Sequence, residues 1–325
     1  MYEEGALIFR VSVFSVTIRT STTSSVCAGP ASVYLTSGTG DYLASVGASR
    51  IAERRIHELA EKFGVDDLVD FVDAWFDYSE RLTATAIETL PEYVLHGSSV
   101  HDPFPGTSAD GVHLQATVEV KPKQGKIVID LRDNPDNLPN GLNLTKATAT
   151  GAALAGILSG IPENLPSNAG TFRRVEVLLR DGCAVGVPKH PYSCSSGTTN
   201  LADRVVNIVQ AAFSQIEDGY GTAEGAAGQA PAKSVISGID ERNGNAYVNQ
   251  ILVGGVGGPA TPYVDGWPTY QRPVCGALLY HDSVEVDEQR YPPILVHERT
   301  LVADTGGSRK ATRWPRDPCD HGTPG

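Results

Sequence analysis

"VHLQATVEVKPKQGKIVIDLRDNPDNLPNGLNLTKATATGAALAG" runs from Val112 to Gly156 and decides how the chain is read. Val112, Leu114, Ala116, Val118 and Val120 alternate with polar residues. After "KPKQGK" the alternation resumes at Ile127, Ile129 and Leu131. A period of two with a short polar break predicts an antiparallel β-hairpin with one buried face. It leads into a turn that gathers Asn134, Asn137, Asn140 and Asn143, and then into small residues after Thr145. Those residues predict a helix ending near Gly160, with alanines and glycines that let another backbone approach closely.

Working outward, the period changes to that of a helix. Ala52, Ile56, Leu59, Ala60 and Phe63 form one stripe, stopped by Gly64. Leu68, Phe71, Val72, Trp75, Ser79, Leu82, Ala86 and Leu90 form the next, closed by Pro91. The pair reads as a helical hairpin joined at Gly64. Downstream, "SNAGTFRRVEVLLR" reads as a turn and then a strand through Val175, Val177 and Leu179. Leu201, Val205, Ile208, Val209, Ala212 and Ile216 make another helical stripe, capped by Thr198, Thr199 or Asn200. Further strands are expected around 233–239, 246–253 and 293–302. Helices and strands come in blocks instead of strict alternation, so the predicted class is α+β.

Composition narrows the functional classes. The 325 residues carry a formal net charge of -12, which opposes nucleic-acid binding because a phosphate backbone needs a basic face. Five scattered cysteines without a CxxC pair point to a reducing, cytoplasmic setting and no zinc knuckle. "ALIFRVSVFSVTI" follows two glutamates and contains Arg10, so it reads neither as a signal peptide nor as a membrane span. "GGVGGP" (254–259) lacks the Gly-Lys-Ser/Thr ending of a phosphate loop.

Candidate sites follow from residue type. The asparagines are turn formers by nature. Their alternative role is a polar pocket, since a carboxamide offers both a donor and an acceptor to an amide. Arg173 and Arg174 would point to opposite faces if they start a strand, and an inward arginine needs an anion. His190, Cys194, Ser195 and Ser196 hold the atoms of a Cys–His nucleophile, although neighbours in sequence seldom have that geometry. "HGSSVHD" (His96, His101, Asp102) could ligate a metal, but Gly97 and the serines read as a loop or strand, and a surface loop is the expectation. Glu285, Asp287 and Glu288 read as a solvated acidic face.

Several segments, in order, resemble the hydantoinase B/5-oxoprolinase family, which includes the alpha-type subunits of acetone and acetophenone carboxylases. They are "GDYLASVGASRIAERRIHEL", "DYSERLTATAIETLP", "DLRDNPDNLPNGLN", "NAGTFRRVEV", "TTNLADRVVN", "VGGVGGP", "DSVEVDEQRYP" and "DTGG". The resemblance covers Gly40 to Gly307 and implies a partial hydantoinase B-like fold. It implies a cytoplasmic subunit working with a hydantoinase A-like partner that binds ATP. It implies an ATP-dependent opening of a cyclic amide such as 5-oxoproline or a hydantoin. A ketone carboxylase subunit and a non-catalytic interaction remnant are the alternatives, and neither nucleic acid nor membrane is an expected partner. Substrate-binding roles are expected for Asn137, Asn143, Asn168, Arg173 and Asn200.

The family also binds a divalent metal through His and Asp residues of a long amino-terminal portion. Here only "MYEEG" resembles the end of that portion, so those ligands are expected to be missing. Residues 1–39 and 308–325 depart from the pattern, as if read in a shifted frame. The expectation is therefore a truncated or frameshifted product with a domain over 40–307.

Overall fold

The structure is a computed structural model that describes residues 15–16, 19–20, 35–161, 165–216, 220–223, 225, 235–250, 257–261, 265–266, 285, 288, 295–298 and 300. The chain divides into two compact units, Met1–Tyr78 and Ser79–Gly325.

The first unit holds a small antiparallel pair, β1 (Ser15–Val16) and β2 (Arg19–Thr20). It also holds helix α1 (Leu35–Phe63) and the beginning of α2 (Val65–Glu88). The two helices meet at Gly64, whose φ of 89° suits the one residue type without a Cβ. Asp66 and Asp67 lie in the first turn of α2, where the helix dipole favours negative charge. Ile56, Leu59, Phe63, Phe71, Val72 and Trp75, which the helical stripes place on apolar faces, are exposed.

The second unit is built on a four-stranded sheet in the order β3 (Tyr93–His101), β4 (Val112–Lys121), β5 (Lys126–Asp130), β6 (Val175–Leu178). The β4–β5 hairpin stands where the alternation places it, turned through a short 3-10 segment at Pro122–Gln124. Gly125, in the left-handed region, completes the turn. β5 and β6 run parallel, joined through α3 (Lys146–Gly160) and the short α4 (Ala169–Phe172).

Behind the sheet, α5 (Leu201–Phe213) packs on β3 and β4, and α3 packs on α5. The core is Leu95, Leu114, Val118, Ile127 and Ile129 from the strands with Ala153, Ile157, Val205, Ile208 and Val209 from the helices. The glycines of α3 do admit a close neighbour. A Cβ on Gly156 would lie 2.7 Å from Cβ of Val209, and one on Gly160 would meet the Phe213 ring. Thr145 caps α3 by accepting from the Thr148 N–H. A separate hairpin, β7 (Val235–Asp240) with β8 (Asn245–Gln250), bears out the next two expected strands. Of the strand expected at 293–302, residues 295–298 and 300 are described and form no regular element.

The structure departs from the sequence expectation at "HGSSVHD", which is not a surface loop. His96 to His101 belong to β3, paired with β4 along its full length. The inward positions of β3 are Leu95, Gly97, Ser99 and His101. Small and polar residues there hide the alternation. They are small because α5 lies directly on them; a Cβ on Gly97 would run into the Ile208 carbonyl.

Candidate functional site

The amide-rich turn is held by its own side chains. Asn134 accepts from the Gln115 N–H (2.9 Å) and donates to the Gln115 carbonyl (2.8 Å), so its carboxamide continues the β4 ladder. Asn137 accepts from the Lys189 N–H and donates to the Cys183 carbonyl. Asn140 donates to the Pro105 carbonyl and accepts from Leu142 N–H. Asn143 is fully buried. Its Oδ1 accepts from Leu138 N–H, and its Nδ2 reaches the carbonyls of Leu138, Asn140 and Ser193 within 3.0 Å.

That last contact joins the turn to the segment 193–200. The join is tight. Ser196 N–H donates to the Gly141 carbonyl, and a Cβ on Gly197 would meet the Asn143 carbonyl. Segment 193–200 then starts α5, with Asn200 at the N-cap. The Asn200 side chain does not cap in the usual way. Its Nδ2 donates to the Ser196 carbonyl at 2.8 Å, and its Oδ1 faces Nε2 of His101 at 3.2 Å. The other ring nitrogen of His101 is 2.7 Å from the Asp102 carbonyl.

From Asn200 a polar ridge runs along α5. Asp203, Asn207 and Gln210 recur at helical spacing on one face, and all three are buried, with exposures of 1%, 5% and 7%. Downstream segments reach Asn207 and Gln210. Asn207 donates to the Gly225 carbonyl at 3.2 Å, Thr222 N–H lies on the Gln210 carbonyl, and Ala223 N–H donates to the Ala260 carbonyl. Arg204, half-buried beside the ridge, donates to Ser99 Oγ at 3.1 Å on the inward face of β3. Carboxamides, a carboxylate and a guanidinium thus follow one another along α5, and the His101 imidazole reaches its start at Asn200. Polar groups buried in this number need partners, so such a ridge is costly to build without a use. Sequence reasoning misses Asp203, Asn207 and Gln210, which lie off the apolar stripe of the helix. Their shared spacing is visible in the sequence; the segments that reach Asn207 and Gln210 are not.

The expected site residues therefore fall into two places. Asn143 and Asn200 both fasten segment 193–200, and Asn137 lies beside Asn143 at 3.5 Å. Asn168 and Arg173 are elsewhere. Asn168 caps α4 by accepting from Gly170 and Thr171 N–H and donates to Ser79 Oγ at 2.8 Å. Arg173 and Arg174 both bind the Glu80 carboxylate, at 3.0 and 2.8 Å. The expectation of opposite faces fails because both lie in the turn after α4, before the alternation of β6 begins.

The remaining candidates separate as well. Burial pushes the Cys194 thiol above its ordinary 9.0, and among the described residues no hydrogen bond joins it to His190. His96 lies on the exposed face of β3, with its ring on Thr117 Oγ1, while His101 points inward. Among the described residues no group of three or more His, Cys, Asp or Glu side chains could hold a metal ion. Glu288 accepts from Val296 N–H at 2.8 Å; Asp287 lies outside the described residues. No helix among them is long and apolar enough to cross a membrane.

A mixed sheet backed by two helices is a fold with known counterparts. The hydantoinase B/oxoprolinase family model matches residues 1–310, and the chain belongs to that family. It is 26% identical over 294 residues to the beta subunit of the Pseudomonas jessenii caprolactamase, covering 87% of this chain and 48% of that one. It is 27% identical over 201 residues to the B-type subunit of a putative D-/L-hydantoinase from a Pseudomonas species, covering 57% and 33%. The crystal structure of the ATP-dependent caprolactamase from Pseudomonas jessenii superposes with a TM-score of 0.65 at 22% identity, over 80% of this chain and 44% of that one. A nucleotide-free acetone carboxylase structure superposes with a TM-score of 0.55 at 12% identity, over 72% and 32%. The chain spans less than half the length of these relatives.

Proposed function

We propose that this chain works within a hydantoinase B-type subunit of an ATP-dependent enzyme that opens cyclic amides, such as a lactam, 5-oxoproline or a hydantoin. The observation that carries the reading is the family match through residues 1–310 together with relatives named as caprolactamase and hydantoinase subunits. ATP is held by a hydantoinase A-like partner, and the work is done in the cytoplasm. An amide is a poor electrophile. Moving a phosphoryl group to its oxygen makes the carbonyl carbon open to water, the C–N bond breaks, and phosphate leaves to a second water.

This chain's part is to hold the ring and meet the charge that develops. In this reading Asn200 and Arg204 form the mouth of the site, with His101 fixing Asn200. Asn137 and Asn143 build the loop beneath them, and Asn168 and Arg173 brace α4 against Ser79 and Glu80. The chain, mixed with its A-type partner and ATP, should release phosphate in step with ring-opened product from caprolactam, 5-oxoproline or hydantoin. Bicarbonate-dependent consumption of acetone instead would favour the carboxylase reading that the fold also allows. No turnover with any ring or ketone, while the partner still binds, would leave only an interaction role.

A further inference from the structure

The apolar stripes of α1 and α2 mirror each other about Gly64. Ala52 corresponds to Phe76, Ile56 to Val72, Leu59 to Val69, Ala60 to Leu68 and Phe63 to Val65. Two such helices laid antiparallel would set each residue beside its counterpart, with alanine facing a large side chain at two positions. Along the rim of that seam the same register sets Arg55 against Asp73 and Lys62 against Asp66, opposite charges in both cases. The like-charged counterparts, Glu58 with Asp70 and Glu61 with Asp67, fall at outward positions of the helices.

One chain does not close this seam on itself. Antiparallel helices need a link of about 2–5 residues. Here Gly64 stands alone between Phe63 and Val65. Helical hydrogen bonds reach it from both sides: Gly64 N–H donates to the Ala60 carbonyl, and Leu68 N–H to the Gly64 carbonyl. Among the described residues the two helices do not pack on each other, and Ile56, Leu59, Phe63, Val65, Val69 and Val72 are each 40–64% exposed. A helix draws most of its stability from covering its apolar face, so stripes left in water call for a cover.

We propose that a second copy of this chain is that cover: α1 of each copy packs antiparallel on α2 of the other, about a two-fold axis at Gly64. The seam then holds the contacts that a closed hairpin would make within one chain, exchanged because the link is too short to turn back. The stripes offer on the order of 800 Å² per copy, the area that a standard interface buries on each side. In the single chain Arg55 rests on Glu58 of its own helix, an exposed contact of the kind that contributes little. The pairing does not depend on the cyclic-amide reading.

The test follows the mass of the full chain by sedimentation velocity. Wild type should be a dimer that dissociates on dilution. Inserting Gly-Ser-Gly-Ser after Gly64 lengthens the link and lets each chain close its own hairpin. It should return a monomer with unchanged helix content by circular dichroism. Arg55→Asp sets like charge against Asp73 of the other copy. Because that contact occurs twice, the dissociation constant should rise about tenfold. Arg55→Asp combined with Asp73→Arg should recover the wild-type value. Arg55 is exposed, so its replacement leaves the fold intact. A wild-type monomer at every concentration overturns the proposal, as does a dimer that neither the insertion nor Arg55→Asp changes. A monomer that binds an A-type partner, and loses it in Leu59→Lys, also overturns it and gives the stripes to that partner.

Discussion

His101 at the end of β3 and Asn200 at the start of α5 stand 99 residues apart in sequence, and their side chains lie 3.2 Å from one another. That contact ties the last inward position of the edge strand to the N-cap of the helix that packs on it. Asn200 in turn is fastened to the Ser196 carbonyl, and Ser196 to Gly141. The amide turn, the 193–200 segment and the strand end are therefore one hydrogen-bonded corner. Removing the carboxamide by Asn200→Ala should lower stability by about 1–2 kcal/mol, the cost of leaving such partners unmet. Urea unfolding followed by tryptophan fluorescence reads it; a midpoint unchanged from wild type would show that the corner does not depend on this link.

Asn143 should matter more. Three carbonyls and one N–H converge on a side chain with no exposed surface. Asn143→Ala leaves those groups buried without partners, and each such loss costs about 1–3 kcal/mol. The expected loss is roughly 3 kcal/mol or more in the same urea experiment, with the 193–200 segment cut faster by protease. Asn143→Asp should be worse than Asn143→Ala, because it sets a carboxylate against three carbonyl oxygens.

How much of this is legible beforehand depends on what each residue faces. The β4–β5 hairpin is legible because its inward positions are uniformly apolar. β3 is not, since α5 lies against Gly97 and Ser99, and the demand for space removes the pattern that marks a strand. The amide turn can be located by composition, but not its partners. Those lie about 50 residues downstream at Cys183, Lys189 and Ser193, brought in by the sheet. The ridge on α5 shows the reverse failure. Asp203, Asn207 and Gln210 look like a solvated face because helical spacing does not reveal that a later segment will reach it.

The end of β5 carries a pH dependence of definite sign. Arg132 holds the Asp130 carboxyl below its ordinary 3.8, first through the side-chain hydrogen bonds at 2.7 and 2.9 Å. A carboxylate with a lowered folded value contributes stability above the unfolded pKa and loses it as pH falls through the folded one. The contribution should therefore be complete above about pH 5 and fade below about pH 4. The pair is open to solvent, more on the Arg132 side, so the effect is small and salt-sensitive. Comparing wild type with Asp130→Asn between about pH 3 and pH 7 should show curves that converge at the acid end. Parallel curves would mean that the pair contributes nothing to the acid limb.

Cys194 should behave as an inert thiol. Burial raises its pKa above 9.0, and the thiolate is the reactive form. Iodoacetamide labelling of the Cys194 peptide, followed by mass spectrometry, should speed up steadily from about pH 7 to pH 9. A labelling rate already at its plateau near pH 7 would reveal an activated nucleophile and reopen the hydrolase reading with His190.

Two glycines give opposite predictions for the same substitution. Gly97 sits where α5 crosses β3, and an added Cβ would strike the backbone carbonyl of Ile208. Backbone cannot rotate aside as a side chain can, so Gly97→Ala must push the helix off the strand. Overpacking of this kind costs about 1–3 kcal/mol, occasionally more. It would also shift Arg204 relative to Ser99, and with it the mouth of the ridge. Gly151 lies on the exposed side of α3, with nothing within 4 Å of an added Cβ. There Gly151→Ala removes backbone freedom from the unfolded chain and should stabilise by about 0.5–1 kcal/mol. Both values come from urea unfolding of the single variants. If Gly97→Ala proved as well tolerated as Gly151→Ala, α5 could not be packed on β3 as closely as described, and the His101–Asn200 corner would go with it.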